Sequence, residues 1–281
     1  MTAPDLSLAE AAEAAGMHYM TIYRYVRTGR LPATRHGREW RVARSDLDAL
    51  RSPSPGPPGA SRAATPSARR RLEARMVAGD EGGAWRIVED ALASGSDPAD
   101  VHLHLLVPAL AAIGQRWSNG EIRVADEHRA SAVASRLVAR LGPRMRPCGP
   151  RRGSVVVGAV TGDRHALPSA IAADLLRGAG FEVVDLGADV PAESFAQAAA
   201  EAPRLRAVVV SVAALPDPSR LAAVGDAVRA VGPVPVLAGG PACGPAVAAA
   251  AGMDARVDLD GLVKAVSALR AAVSAEDRPE R

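Results

Sequence analysis

The sequence predicts a multidomain chain: an α-rich winged helix-turn-helix, a four-helix bundle and a doubly wound α/β domain of flavodoxin-like or Rossmann-like type. Three observations predict it. From Arg152 onward, short apolar runs alternate with Ala-rich stretches at a strand–helix rhythm. Residues 68–145 carry helical periodicity and almost no β-branched runs. Before them lies Ser52–Ser67, rich in Pro, Gly and Ser, which cannot bury a core. The expected boundaries are 1–51 for the head, 52–67 for an extended linker, 68–147 for the bundle and 152–273 for the α/β domain.

In the head, Leu8–Ala15 reads as a helix with Ser7 as its cap, Gly16 makes a turn, and Tyr19–Thr28 reads as a second helix ended by Gly29. Residues 31–42 then read as two short strands around a His36-Gly37 turn, and Ser45 caps a last helix through Leu50. This order resembles the winged helix-turn-helix of the excisionase and MerR families. Thr21, Arg24, Tyr25 and Arg27 can lie along the exposed face and end of the second helix, in reach of base edges and phosphates. Arg35, Arg38 and Arg41 on the hairpin would meet neighbouring phosphates or the minor groove. The expected partner is double-stranded promoter or operator DNA. The alternative is a small structural module with a solvated basic face.

Four helices follow the linker: Ala68–Val77, Ala84–Ala93, Ala99–Trp117 and Val124–Leu141. They are separated at Gly79, at Gly95-Ser96-Asp97-Pro98 and at Asn119-Gly120. Breaks this short imply antiparallel neighbours. Arg69-Arg70-Arg71 fits a solvated first turn.

The α/β domain should contain strands at Ser154–Val160, Phe181–Asp185, Ala207–Ser211, Val234–Ala238 and Ala255–Val257. Its helices should fall at Pro168–Ala179, Pro191–Glu201, Pro218–Val231, Gly244–Ala251 and Leu259–Ala272. Ligands of such sheets bind beyond the strand carboxyl ends, and His165, Ser211 and Gly239-Gly240 all fall there.

Three motifs stand at those ends: Asp163-Arg164-His165-Ala166-Leu167-Pro168, Ser211-Val212-Ala213 and Leu237-Ala238-Gly239-Gly240-Pro241. With Val183 through Pro191, they resemble the cobalamin-binding domain shared by methionine synthase, corrinoid methyl carriers, mutases and CarH/LitR-type light-sensing repressors. The resemblance implies that His165 ligates cobalt from below while Asp163 accepts the proton on its other nitrogen. It implies that Ser211 hydrogen-bonds the displaced nucleotide tail, which Gly239 and Gly240 let the backbone approach. Pro168 stands where that family has glycine, and Ala213 where it has a larger apolar residue. Proline suits a first helical turn, so an altered loop with the ligand retained is expected. Without the resemblance, His165 reads as a solvated loop residue of a plain α/β fold.

Upstream, Trp117-Ser118-Asn119-Gly120-Glu121-Ile122 and Ala125-Asp126-Glu127-His128 are similar to the helical cap of the CarH/LitR-type photoreceptors. That likeness implies that Trp117, Glu127 and His128 cover the upper face of the corrin, the indole packing on an adenosyl group and the glutamate hydrogen-bonding it. Taken alone, the same residues read as bundle packing and a solvated helix face. In well-known members a histidine follows the tryptophan and takes the upper cobalt position after illumination; here that position is Ser118, a poor ligand.

The 281 residues suffice for two or three domains, and the formal net charge of +3 is compatible with nucleic acid. Only Cys148 and Cys243 occur, without metal-ligand spacing, which argues against a structural disulfide or zinc site. No charged leader with an apolar stretch opens the chain, and no run is long enough to span a bilayer, so a cytoplasmic protein is expected. The resemblance implies a non-enzymatic cofactor-dependent regulator: adenosylcobalamin assembles a repressing homo-oligomer in the dark, and light releases DNA. Two alternatives stay open. One is a corrinoid methyl carrier, using methylcobalamin; the other is a regulator whose degenerate pocket binds no corrinoid.

Overall fold

Ser7 and Glu10 cap the first helix reciprocally: the Ser7 N–H donates to the Glu10 carboxylate at 2.8 Å, and the Glu10 N–H donates to Ser7 Oγ at 3.3 Å. The computed structural model describes residues 5–15, 19–27, 31–37, 39–51, 65–145, 151–214 and 217–276. The chain divides into two units, Met1–Arg62 and Ala63–Arg281.

The first unit runs β1 (Leu6–Ser7), α1 (Leu8–Ala15), α2 (Tyr19–Arg27), β2 (Thr34–His36), β3 (Glu39–Val42) and α3 (Arg44–Arg51). Its sheet has the order β1-β3-β2 and is antiparallel throughout. The short strand β1 carries no periodic signal; it exists because the edge of β3 is there to pair with it. His36 pairs with Glu39, so His36 belongs to the strand and the turn starts at Gly37, one residue later than expected, with φ 64° there. The last helix begins at Arg44, which places Ser45 inside the first turn; the Ala43 carbonyl accepts the Asp46 and Leu47 amides instead. Leu8, Ala11, Ile22, Leu31, Val42 and Leu47 form the core. Gly16, Thr28, Gly29, Arg38, Cys148 and linker residues 52–64 lie outside the described residues, as do the side chains of Arg24, Arg27, His36 and Leu50.

The second unit begins with helices α4 (Pro66–Ala78), α5 (Glu81–Ala93), α6 (Pro98–Val101), α7 (Val107–Ser118) and α8 (Val124–Leu141). Thr65 and Asp80 cap the first two through the Ala68 and Gly83 amides. The expected helix over 99–117 is interrupted by a π turn at His102–Leu106. Its cause is Pro108, which has no N–H to return to the preceding turn. The guanidinium of Arg69 donates to the freed His104 carbonyl at 2.7 Å, so this arginine is not simply solvated.

Below the helices lies the sheet domain: β4 (Ser154–Ala159), α9 (Ala166–Gly178), β5 (Glu182–Asp185), α10 (Ala192–Glu201), β6 (Leu205–Ser211), α11 (Pro218–Val231), β7 (Val236–Gly239), α12 (Pro245–Ala250), β8 (Ala255–Arg256) and α13 (Leu259–Glu276). The strands are parallel, in the order β5-β4-β6-β7-β8. This is a doubly wound arrangement whose order reverses at β4, so the crevice between the loops after β4 and β6 is the topological switch point. Every residue of β4 is buried, as a strand covered on both faces must be. Phe195 anchors one layer and Phe181 the other.

The helical cap and the sheet domain share a core, because Ile171 and Leu175 of α9 pack into the cap cluster with Leu105, Leu137 and Leu141. A polar pair crosses the same boundary: His102, fully buried, holds Nε2 3.4 Å from Asp174 Oδ2 while its Nδ1 faces the Pro98 carbonyl at 3.1 Å. The 3.4 Å separation is long and Nε2 has no hydrogen-bond partner among the described residues, so the two groups lie side by side without a formed hydrogen bond. Arg177 supports Asp174 from the other side at 3.2 Å. His102→Ala should destabilise the unit by about 2–3 kcal/mol through the cavity it leaves and the Pro98 carbonyl that loses its donor, measured by urea denaturation.

Candidate functional site

The loop after β4 carries the site. Asp163 is fully buried there, and each of its oxygens is occupied. One Oδ accepts the His165 Nδ1 at 2.7 Å and the His165 backbone N–H at 3.1 Å. The other accepts the backbone amides of Ala213 at 2.6 Å and Ala214 at 3.3 Å, from the loop after β6. Asp163 therefore ties both sides of the switch point together. Ala213 contributes its backbone amide rather than its methyl, which is why a small residue serves there.

Buried and acceptor-only, the carboxylate places the imidazole proton on Nδ1 and leaves the Nε2 lone pair free. The His165 side chain is 61% exposed, so that lone pair is on an accessible ring. This is the arrangement that a metal-binding histidine requires. His165 caps α9, which starts at Ala166, two residues earlier than expected; Pro168 lies in the first turn, where a missing N–H removes no helical bond.

Ser211 closes β6 with its hydroxyl buried and without a hydrogen-bond partner among the described residues. An orphaned hydroxyl at the carboxyl end of a central strand fits a ligand that reaches into the sheet. The two glycines have a structural reason beside the expected one. A Cβ on Gly239 would be driven into the Val257 carbonyl, and one on Gly240, whose φ is 127°, into the Val212 carbonyl. Close approach by the protein's own backbone already demands glycine at both positions.

From the cap, Glu127 and His128 stand in the first turn of α8. The Glu127 carboxylate takes His128 Nδ1 at 2.8 Å and the Ser131 hydroxyl at 2.6 Å. Trp117, at the end of α7, is 48% exposed. Ser118 donates to the Gln115 carbonyl at 2.8 Å, which completes its own turn. No hydrogen bond or ion pair among the described residues joins Trp117, Glu127 or His128 to Asp163, His165 or Ser211. A cleft of about 480 Å³ lined by Ser135, Ala170 and Asp174 runs between α8 and α9. It lies along the later turns of both helices, at least one helical turn from His165 and His128, and so is not where the ligand chemistry sits.

Beside Glu127, Asp126 is held down to about 2, first by its hydrogen bond with the Arg123 side chain, then by the Arg123 backbone N–H. This is half of a capping box, since arginine has no acceptor to return. A carboxylate depressed in the fold contributes stability above its unfolded value of 3.8, and that contribution disappears as pH falls through about 2. Arg123→Ala removes the first of these causes but leaves the backbone N–H at 123 and the Arg129 guanidinium at 2.6 Å, so it should shrink this acid-dependent component, giving a somewhat flatter melting temperature between pH 4 and pH 2 in circular dichroism.

In the head, Thr21 and Tyr25 are half-buried, and Tyr25 packs against the core rather than lying fully on the exposed face. Tyr19 and Met20, which periodicity did not single out, are exposed at the start of α2. Arg35 is exposed and stacks over Trp40 at 5.9 Å; Arg41 faces Glu39 at 3.2 Å and Glu10 at 3.9 Å, which partly neutralise it. Among the described residues, no group of three or more His, Cys, Asp or Glu is placed to hold a metal, and no helix is long and apolar enough to cross a membrane. Cys243 is buried, and burial pushes its thiol up.

A parallel sheet with an Asp-buttressed, outward histidine at its switch point and a helical layer beside it fits a cobalamin-binding site. Comparison with known families agrees: residues 68–141 and 153–264 each match a family described as B12 binding domain, and residues 6–52 match a helix-turn-helix domain. The chain therefore carries cobalamin-binding domains behind an amino-terminal helix-turn-helix, and a corrinoid is the supported cofactor. It is similar to trimethylamine corrinoid protein 1 of Methanosarcina acetivorans, with 31% identity over 43% of this chain and 58% of that protein. It is also similar to the HTH-type transcriptional repressor CarH of Myxococcus xanthus, with 33% identity over 50% of this chain and 47% of that protein. The chain thus spans less than two thirds of the length of each of these relatives. The solved monomethylamine corrinoid protein of Methanosarcina barkeri shares the fold, with a TM-score of 0.60 at 20% identity over 72% of this chain and 98% of that one.

Proposed function

We propose that this chain is a non-enzymatic, adenosylcobalamin-dependent transcriptional regulator, a light-responsive repressor in the cytoplasm whose oligomerisation and DNA binding are set by the corrinoid. In this reading the head is a winged helix-turn-helix and the cap a four-helix bundle. The observation that carries it is the joining of a helix-turn-helix to a corrinoid-type site built on the Asp163–His165 pair. A carrier of methyl groups has no use for a DNA-binding head.

The residues divide the work. His165 would offer Nε2 to the cobalt, Asp163 would hold its tautomer and direction, and Ser211 would hydrogen-bond the nucleotide tail. Trp117, Glu127 and His128 would cover the bound corrinoid and exclude water from it. Adenosylcobalamin, when bound, supplies a cobalt–carbon bond that visible light cleaves. A single head offers few phosphate and base contacts, so two or more heads held in one oligomer gain by effective concentration. Arg35 and the basic end of α2 provide the phosphate contacts, which makes binding salt-dependent.

The test is a titration of the full chain with adenosylcobalamin in darkness, followed by green light, reading absorbance, mass in solution and retention of a promoter fragment. The expected result is a dark oligomer that retains DNA and releases it on illumination. Unchanged mass and DNA retention in both arms would remove the light-responsive reading. A second reading, a corrinoid methyl carrier, draws on the likeness to trimethylamine corrinoid proteins. Its mark would be methylcobalamin turned over by a methyltransferase, with no effect of the corrinoid on DNA retention.

A further inference from the structure

Asp189 has φ 58°, one of two residues other than glycine among the described residues in the left-handed region. An aspartate there tolerates the conformation better than most residues but still carries backbone strain, which persists only where surrounding contacts hold it. Those contacts all reach the histidine loop. The Asp189 carboxylate accepts the Gly162 backbone N–H at 2.7 Å. Its own backbone N–H donates to the Asp163 carbonyl at 2.9 Å. On either side, the next residue completes the seam: the Val190 N–H donates to the Ala159 carbonyl at 2.9 Å, and the Thr161 hydroxyl donates to the Val190 carbonyl at 2.9 Å.

We propose that Asp189 is a positioning residue for the cobalt ligand: its left-handed backbone and its carboxylate together clamp the 161–163 turn, which sets Asp163 and, through Asp163, the direction of the His165 ring. This inference rests on the corrinoid reading of His165 and adds a residue outside the loop on which that histidine stands. Without the carboxylate, the turn keeps the Ala213 and Ala214 bonds to the Asp163 side chain and the backbone bond from residue 189 to the Asp163 carbonyl, but loses the side-chain hold at Gly162. Asp163 can then rotate about that anchor, and the imidazole rotates with it.

Three variants separate the two parts of the device. Asp189→Asn keeps an oxygen acceptor and accepts the left-handed backbone; Asp189→Gly relieves the strain but removes the acceptor; Asp189→Ala removes the acceptor and keeps the strain. Each variant, in the full chain with ring-15N histidine, is reconstituted with cob(II)alamin, and the histidine nitrogen splitting of the cobalt signal is read by electron paramagnetic resonance. In the cofactor-free chains the exchange rate of the Gly162 amide is followed by hydrogen exchange. The expected result is that Asn matches the parent, while Gly and Ala lower the histidine-ligated fraction about fivefold and speed Gly162 exchange by a similar factor, as loss of one hydrogen bond would. A parent-like Gly variant in both measurements overturns the proposal. So does faster Gly162 exchange with unchanged histidine splitting, since the clamp would then be local to the turn. If the parent chain itself shows no histidine splitting, the corrinoid reading of His165 fails, and this proposal with it. Should the Ala variant not fold, the Gly and Asn pair decides alone.

Discussion

His165→Ala is expected to lower corrinoid affinity by on the order of 100-fold, about 2.7 kcal/mol, and to remove the spectral signature of imidazole ligation. Loss of residues that merely support a metal ligand costs about 10–100-fold, so loss of the ligand itself belongs at the top of that range or beyond. The apo fold should be unaffected, because the ring is largely exposed and its one side-chain bond among the described residues is to Asp163. Asp163→Ala should differ in kind. It reduces affinity by about 10–100-fold and also leaves the Ala213 and Ala214 amides without their acceptor, so its melting temperature falls as well. Titration of hydroxocobalamin followed by absorbance, beside a thermal melt of each apo protein, separates ligation from folding. An alanine variant at 165 that binds as tightly as the parent, with the same spectrum, would show that this imidazole does not hold the metal.

Gly240→Val is expected to cost the sheet domain more than about 4 kcal/mol, an amount that few single substitutions reach. Two effects add. A β-branched residue at φ 127° is strained by about 1–3 kcal/mol, and its Cβ meets the Val212 carbonyl, which is held by the Ala242 N–H at 3.1 Å and cannot step aside freely. With domain stabilities of about 5–15 kcal/mol, the variant should melt far below the parent. Gly261→Ala is the matched control: it sits in α13 with nothing within 4 Å of an added Cβ, so it should be neutral or stabilising by about 0.5–1 kcal/mol. Equal melting temperatures for Gly240→Val and the parent would show that the close approach at this turn is relieved at no cost.

The glycine pair also shows how far motif logic reaches. The motif placed Gly239 and Gly240 correctly at the end of a strand and attached them to a ligand. The contacts attach them first to Val257 and Val212, so their presence is demanded with or without a cofactor. The hydrogen bond between Asp163 and His165 was legible, because two residues of spacing on one short loop bring the side chains within reach of each other. Asp189 was invisible: a Gly-Ala-Asp-Val-Pro stretch signals a turn, but nothing local says that its carboxylate reaches an amide 27 residues earlier. The interrupted third helix lies between these cases. Pro108 carried the signal for a break, yet the remedy, an arginine 35 residues away from the freed carbonyl, was not local.

Strand and helix order in residues 152–273, the helical character of 68–145 and the identity of the outward histidine are properties of the chain alone, since each depends on periodicity, on turn residues or on neighbours within a few positions. The tertiary structure alone decided which acceptors meet which donors: Asp163 with the loop after β6, Asp189 with Gly162, His102 with Asp174. The reason is physical. Local conformation is set by torsional preference and nearby bonds, whereas a buried carboxylate is matched to its partners only when distant segments are packed together and water is no longer there to satisfy it.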